Sequence, residues 1–259
     1  MLCSASGALR AVAVCGFALL LTGSFSGCGQ APSSTASWQT QVDSCAAAPA
    51  NQKNSFMAPI GNGPVTLMVD STFSSDQQAG IQTMVTQWNQ LGQSLRGADF
   101  FTLQTAAVPS VLYTGNFQQC NIDVGTGAGA LYLVNMTDES QWESLGFSTS
   151  IPGATVRCYQ DDYLDRQVIM IRPNLVDAAQ FTSVILHELG HSLGLDHSCN
   201  AKGGSSSFLS CNGVDQENDP DYYNAVMFPT LSSGISANGT AMVKDQLAPN
   251  DTARASCLY

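Results

Sequence analysis

Every histidine of this 259-residue chain stands in one run, His187-Glu188-Leu189-Gly190-His191-Ser192-Leu193-Gly194-Leu195-Asp196-His197. His187 and His191 are four apart and so share one face of a helix, where two imidazoles reach a single ion at about 2.0–2.1 Å. His197 lies too far along a continuous helix to meet that ion, so the backbone has to turn. Gly194 permits the turn, because glycine enters the left-handed region without steric cost and commonly ends helices there. Three protein ligands leave a fourth position for water, the mark of a catalytic rather than a structural zinc site. Glu188 points off the ligand face, placed to act as general base on that water.

This helix is expected over Asp177 to Leu195, opened by Asp177 and interrupted at Gly194. An earlier one is expected over Asp76 to Leu91, where Ile81, Met84, Val85 and Trp88 fall at i, i+3, i+4 and i+7, a core-facing stripe. A short helix from Pro249 to Cys257 follows from Pro at its first position and Asp251 in its first turn. Strands are expected at Val65 to Val69, Phe100 to Thr105, Cys120 to Val124, Ala130 to Val134, Leu145 to Ser150 and Gln167 to Ile171. The element pattern from about Asn51 onward is that of an α+β or α/β unit with a single core.

The N-terminus reads as an export signal over residues 1–27: Arg10, an apolar run from Ala11 to Leu21, then small residues. Eleven apolar residues are too few to cross a bilayer of about 30 Å as a helix. Phe25-Ser26-Gly27-Cys28 resembles the lipobox of bacterial lipoproteins, implying membrane anchoring by lipid on Cys28, with plain cleavage and free secretion as the alternative. Residues 28–50, polar and small, would form a flexible tether, leaving 51–259 as the folded domain. Once the signal is removed and Cys28 capped, six cysteines remain: Cys45, Cys120, Cys158, Cys199, Cys211 and Cys257. An even set in an exported chain favours three disulfides, and Cys199 with Cys211 is the preferred pair because they bracket a short Ser- and Gly-rich loop. No Cys-x-x-Cys spacing supports a cysteine metal site. The net charge of -11, with no basic stripe, argues against a nucleic-acid partner.

The eleven-residue run, together with Ala225-Val226-Met227-Phe228-Pro229, resembles the metzincin zinc metallopeptidases. In that group the methionine, here Met227, forms a hydrophobic floor under the ligands. Within it the chain is closest to the matrixins, since Ser198 follows the last ligand and Pro229 stands where astacins and serralysins typically carry tyrosine. The resemblance implies an α+β zincin: a twisted mixed sheet with an antiparallel edge strand, two long helices and a short C-terminal helix. It implies one zinc on His187, His191 and His197, Glu188 as general base, and a protein or peptide substrate laid along the edge strand by β-augmentation. We expect that edge at Leu145 to Ser150 and the specificity-pocket wall at Pro229 to Ser233. No spare histidine exists for the second, structural zinc of animal matrixins, and no cysteine-switch propeptide is evident.

Asp215, Glu217, Asp219 and Asp221 read as a solvated acidic loop, with calcium coordination the alternative; Asp161, Asp162 and Asp165 are weaker candidates. The function expected is that of a monomeric, exported zinc-dependent endopeptidase. The competing expectations are a zinc-containing surface lipoprotein that only binds a partner, which the intact Glu188 argues against, and a zinc hydrolase of non-peptide amides.

Overall fold

A parallel sheet forms where short apolar runs alternate with helices, because each strand must bury one face against a helix layer. In the computed structural model, β1 (Val65–Asp70), β2 (Phe101–Ala106), β3 (Ala130–Asn135), β4 (Gly153–Gln160) and β5 (Tyr163–Ile171) join in the order β2-β1-β3-β5-β4. The first four in that order are parallel, and β4 runs antiparallel to β5 at the edge, with a register irregularity at Cys158/Tyr159. The structure describes Met57, 59–61, 63–108, 130–160, 163–199, Cys211, 217–229 and 243–259. All of these belong to one compact unit, 34–259. The expected signal, tether and lipid-bearing Cys28, the strand Cys120 to Val124, the acidic Asp161, Asp162 and Asp215, and residues 230–233 lie outside the described residues.

The long helix α1 (Ser75–Arg96) starts six residues before Ile81, the first of the apolar stripe, because Ser74 and Gln77 form a capping box, and Gly97, at φ 70°, ends it. Its face of Ile81, Met84, Val85, Trp88 and Leu91 is buried against one side of the sheet, where Leu67, Val69, Leu131, Leu133, Ile169 and Ile171 point. The second long helix, α3 (Ala178–Leu193), packs on the same side through Phe181, Val184, Ile185 and Leu189. Trp88 Nε1 donates to Leu186 O at 3.1 Å, locking the two helices together. On the opposite sheet face, Tyr132, Val134, Val168 and Met170 pack on Trp142 of the short helix α2 (Glu139–Ser144). The period of two along each strand sends these residues to opposite faces.

The α+β architecture with two long helices and an antiparallel edge is therefore present. The edge itself is not where the sequence suggested. Residues 145–150 are not a strand: Asp138 caps α2, Leu145 closes it, Gly146 turns at φ 82°, and Trp142 Nε1 donates to Ser148 O at 2.9 Å. Leu145 and Phe147 are apolar because they pack on Trp142, whose ring centroid is 4.9 Å from that of Phe147. The edge is the next segment, β4. Two small helices complete the described chain, α4 (Pro220–Tyr223) and α5 (Pro249–Leu258). No helix among the described residues is long and apolar enough to cross a membrane.

Candidate metal centre

Asp177 caps α3 by accepting from Gln180 N at 2.8 Å, while Gln180 Oε1 accepts from Asp177 N at 3.2 Å, so the helix axis is fixed before the histidines begin. The helix stops at Leu193. Gly194, at φ 103°, takes the left-handed conformation, and Leu195 N returns to Gly190 O at 3.1 Å. The reversal carries His197 back beside His191, with their Nε2 atoms 3.2 Å apart. One nitrogen from each of His187, His191 and His197 lies within 4.8 Å of the others, the only such donor cluster among the described residues. Glu217, Asp219 and Asp221 form no comparable cluster there.

The tautomers follow from the partners. His187 Nδ1 lies 2.7 Å from Val226 O and His191 Nδ1 lies 2.8 Å from Leu195 O. A carbonyl can only accept, so each Nδ1 carries the proton and each Nε2 is left with a lone pair aimed inward. Burial holds the His187 imidazolium pKa well below its usual value, with His191 and His197 adding to the effect; burial pushes His191 down to about 4 and lowers His197 too. Neutral imidazoles with lone pairs facing each other repel unless a proton or a metal cation sits between them. Two nitrogens on one tetrahedral zinc would stand about 3.3 Å apart, and the observed His191 to His197 spacing matches. The donor set and its protonation therefore fit zinc.

Glu188 is 6% exposed and sits on the β4 side of α3. Thr155 Oγ1 donates to its Oε2 at 2.7 Å. Burial raises the Glu188 carboxyl to about 7, against the opposing pull of that hydrogen bond.

Below the ligands, a bracket of buried charges sets the backbone that holds them. Asp251 of α5 accepts from Val226 N (2.8 Å), Met227 N (3.1 Å) and Ala248 N (3.0 Å). Val226 is the residue whose carbonyl orients His187. Arg254, one turn on, donates to Asp196 O (2.8 Å) and His197 O (3.3 Å), gripping the third ligand's loop. Lys244 Nζ donates to Ala225 O at 2.8 Å and stands 4.7 Å above the Phe228 ring. Burial lowers its ammonium to about 8 and the Arg254 guanidinium to about 10. Ser198 N donates to Met227 O at 2.8 Å, joining the loop after the last ligand to the methionine turn.

Met227 is fully buried against α3, where a β-carbon at Gly190 would overlap its Sδ. Cys199 and Cys211 form the expected disulfide, and Cys158 and Cys257 each take part in a disulfide whose other half lies outside the described residues. Sequence reasoning placed the three histidines, Glu188 and Met227 but missed Thr155, Lys244, Arg254 and the partners of Asp251. Asp251 stood out only as a first-turn acid, and nothing local distinguishes the other three.

No protein-family model matches the chain, and no curated protein matches its sequence. Solved structures similar to it include high choriolytic enzyme 1, a hatching-enzyme zinc protease from the medaka fish Oryzias latipes. That likeness has a TM-score of 0.38 and 13% identity, over 79% of this chain and 94% of that one. Myroilysin has a TM-score of 0.35 and 11% identity, over 78% and 82%. At these TM-scores the likenesses carry no weight beside the site's own geometry.

Proposed function

We propose that the chain is an exported zinc endopeptidase, of metzincin type and nearest the matrixins, that cleaves internal peptide bonds of extended protein segments. The observation that carries this reading is the convergence of three neutral imidazoles, two of them pinned through Nδ1, beside a buried carboxylate one residue from the first ligand. His187, His191 and His197 would hold the metal. Bound there, zinc supplies Lewis acidity that polarises a carbonyl and makes a neighbouring water acidic.

Glu188 is the general base in this reading. A carboxyl whose proton affinity is raised to about 7 takes a proton from the attacking water and gives it to the departing amide nitrogen. The substrate's form is suggested by β4, which pairs with β5 along one side and with no other strand among the described residues. The side of β4 turned away from β5 would suit an extended peptide added as a further strand, and Thr155 on β4 touches Glu188, so that peptide would pass the base. Ser198 and Pro229 support the matrixin assignment, and Pro229 to Ser233 would wall the specificity pocket. Residues 1–27 would direct export and 28–50 tether the domain 51–259, with Cys28 lipidated; the disulfides fit an oxidising compartment.

The test is digestion of unfolded casein by the purified, zinc-loaded chain, mapped for internal cleavage sites. We expect cleavage that a chelator abolishes and added zinc restores. Glu188→Ala is expected to retain one zinc per chain and to lose cleavage by more than about a hundredfold. Casein left intact by the zinc-loaded wild type, or full proteolysis by Glu188→Ala, would refute the reading.

A further inference from the structure

The inner face of β4 is unusual in what it presents to α3. Alternate residues of a strand share a face, so Gly153 and Thr155 both look at Glu188. Thr155 Oγ1 lies 2.7 Å from Glu188 Oε2 and 3.2 Å from the Glu188 backbone oxygen. A hydroxyl has one proton, and the shorter contact, to the more basic oxygen, takes it. The other carboxyl oxygen, Oε1, lies along Gly153, where a β-carbon would come within 3.2 Å of it and 2.6 Å of Val184 Cγ1. One oxygen is thus held by a donor and the other admitted by a missing side chain.

A glutamate has three side-chain torsions, and a carboxylate that must face a reacting water cannot be left to sample them. None of the residues 187–197 touches the Glu188 side chain in the way Thr155 does. We infer that Thr155 is a positioning residue for Glu188: its hydroxyl fixes the carboxylate's orientation, so that the strand expected to bind substrate also aims the base. The inference rests on the endopeptidase reading for its consequence and on the hydrogen bond for its geometry.

The experiment uses the full chain loaded with zinc, as wild type, Thr155→Val, Thr155→Ser and Glu188→Gln. Three quantities are measured: kcat and KM on a fluorogenic casein-derived peptide, zinc per chain, and the affinity for acetohydroxamate by calorimetry. Acetohydroxamate chelates a bound metal and gives its hydroxyl proton to a neighbouring carboxylate, so it reports the placement of Glu188 without turnover. Thr155→Val keeps shape and removes the donor. We expect it to lower kcat by about ten- to a hundredfold, with KM within about twofold, and to weaken acetohydroxamate about tenfold, as loss of a hydrogen bond to a charged group does. Zinc content stays at one, and Thr155→Ser recovers both quantities to within about threefold.

Thr155→Val with wild-type kcat and acetohydroxamate affinity overturns the inference, as does Thr155→Ser as impaired as Thr155→Val, which would make shape the cause. A wild type that cleaves nothing, yet binds acetohydroxamate more tightly than Thr155→Val does, sinks the endopeptidase reading and supports the positioning role. A wild type that neither cleaves the peptide nor binds acetohydroxamate overturns both. Should Thr155→Val lose its native circular dichroism, Thr155→Ala, which removes the hydroxyl without adding an atom, takes its place.

Discussion

The two unspecified positions between His187 and His191 are not equivalent. Leu189 is core, whereas Gly190 sits where Met227 Sδ presses on α3, and a β-carbon there would also stand 3.2 Å from Trp88 Cζ2. Glycine inside a helix costs up to about 1 kcal/mol in propensity against alanine, so Gly190→Ala would stabilise an isolated helix. Here the overlap decides. Overpacking of this kind costs about 1–3 kcal/mol, and Met227, which has no exposed surface, has to leave its side-chain conformation or shift a turn whose Val226 carbonyl orients His187. Gly190→Ala is therefore expected to lower the melting temperature and to lose zinc to a chelator faster than wild type; an unchanged melting temperature and unchanged zinc retention would show that the turn is not braced by this contact. At this scale the cluster of three histidines was legible, because metal geometry forces residue type and spacing together. Gly190 was not, since its reason lies in Met227, which is distant in sequence.

Among the elements, α1 and α3 were legible because a 3.6-residue stripe and a cap say the same thing; the Ser74 to Gln77 box was there to be read and moves the start of α1 back by a residue. The edge strand was not legible, and the reason is chemical. β4 must come close to Glu188, so the face it turns to α3 carries Gly153, Thr155 and Arg157, while only Ala154 and Val156 pack on the other face, a weaker apolar signal than its neighbours give. The apolar density that resembles a strand belongs instead to Leu145 and Phe147, which serve Trp142. The C-terminal helix α5 was legible as a helix but not as the site's support. Asp251 gives four lone-pair directions to three backbone N–H groups, and an asparagine there would turn one oxygen into a donor facing donors. Asp251→Asn is expected to cost about 1–3 kcal/mol in urea unfolding, the penalty of a buried unsatisfied N–H, and to weaken zinc retention. An asparagine variant as stable as wild type and as slow to lose zinc would remove α5 from the support of the centre.

Across the whole molecule, the sheet and its two long helices account for one wall of the site, while the other wall is made of the loop after α3 and the turn at Met227, which α5 holds through Asp251 and Arg254. His197 leaves the helix, Ser198 ties back to Met227 O, and Cys199 then crosses to Cys211 and packs with Phe228, Tyr222 and Tyr223. The disulfide thus closes the segment between the last ligand and the methionine turn, a stretch where the described residues contain only the four-residue helix α4. With a sequence separation of 12, cross-linking removes about 3 kcal/mol of loop-closure freedom from the unfolded chain. A domain of roughly this size loses about 2–4 °C for each kcal/mol, so the paired replacement of Cys199 and Cys211 by alanine is expected to lower the melting temperature by about 6–12 °C. The same change acts on the folded state, because Cys199 is two residues from His197 and has no exposed surface of its own. If the bond served only to restrict the unfolded chain, the variant would melt earlier yet release zinc at the wild-type rate below its transition. If it also holds His197 in place, release to a chelator accelerates at temperatures where the protein is fully folded. The proximity of Cys199 to the third ligand predicts acceleration; zinc release at the wild-type rate from the folded variant would confine the disulfide to the unfolded chain.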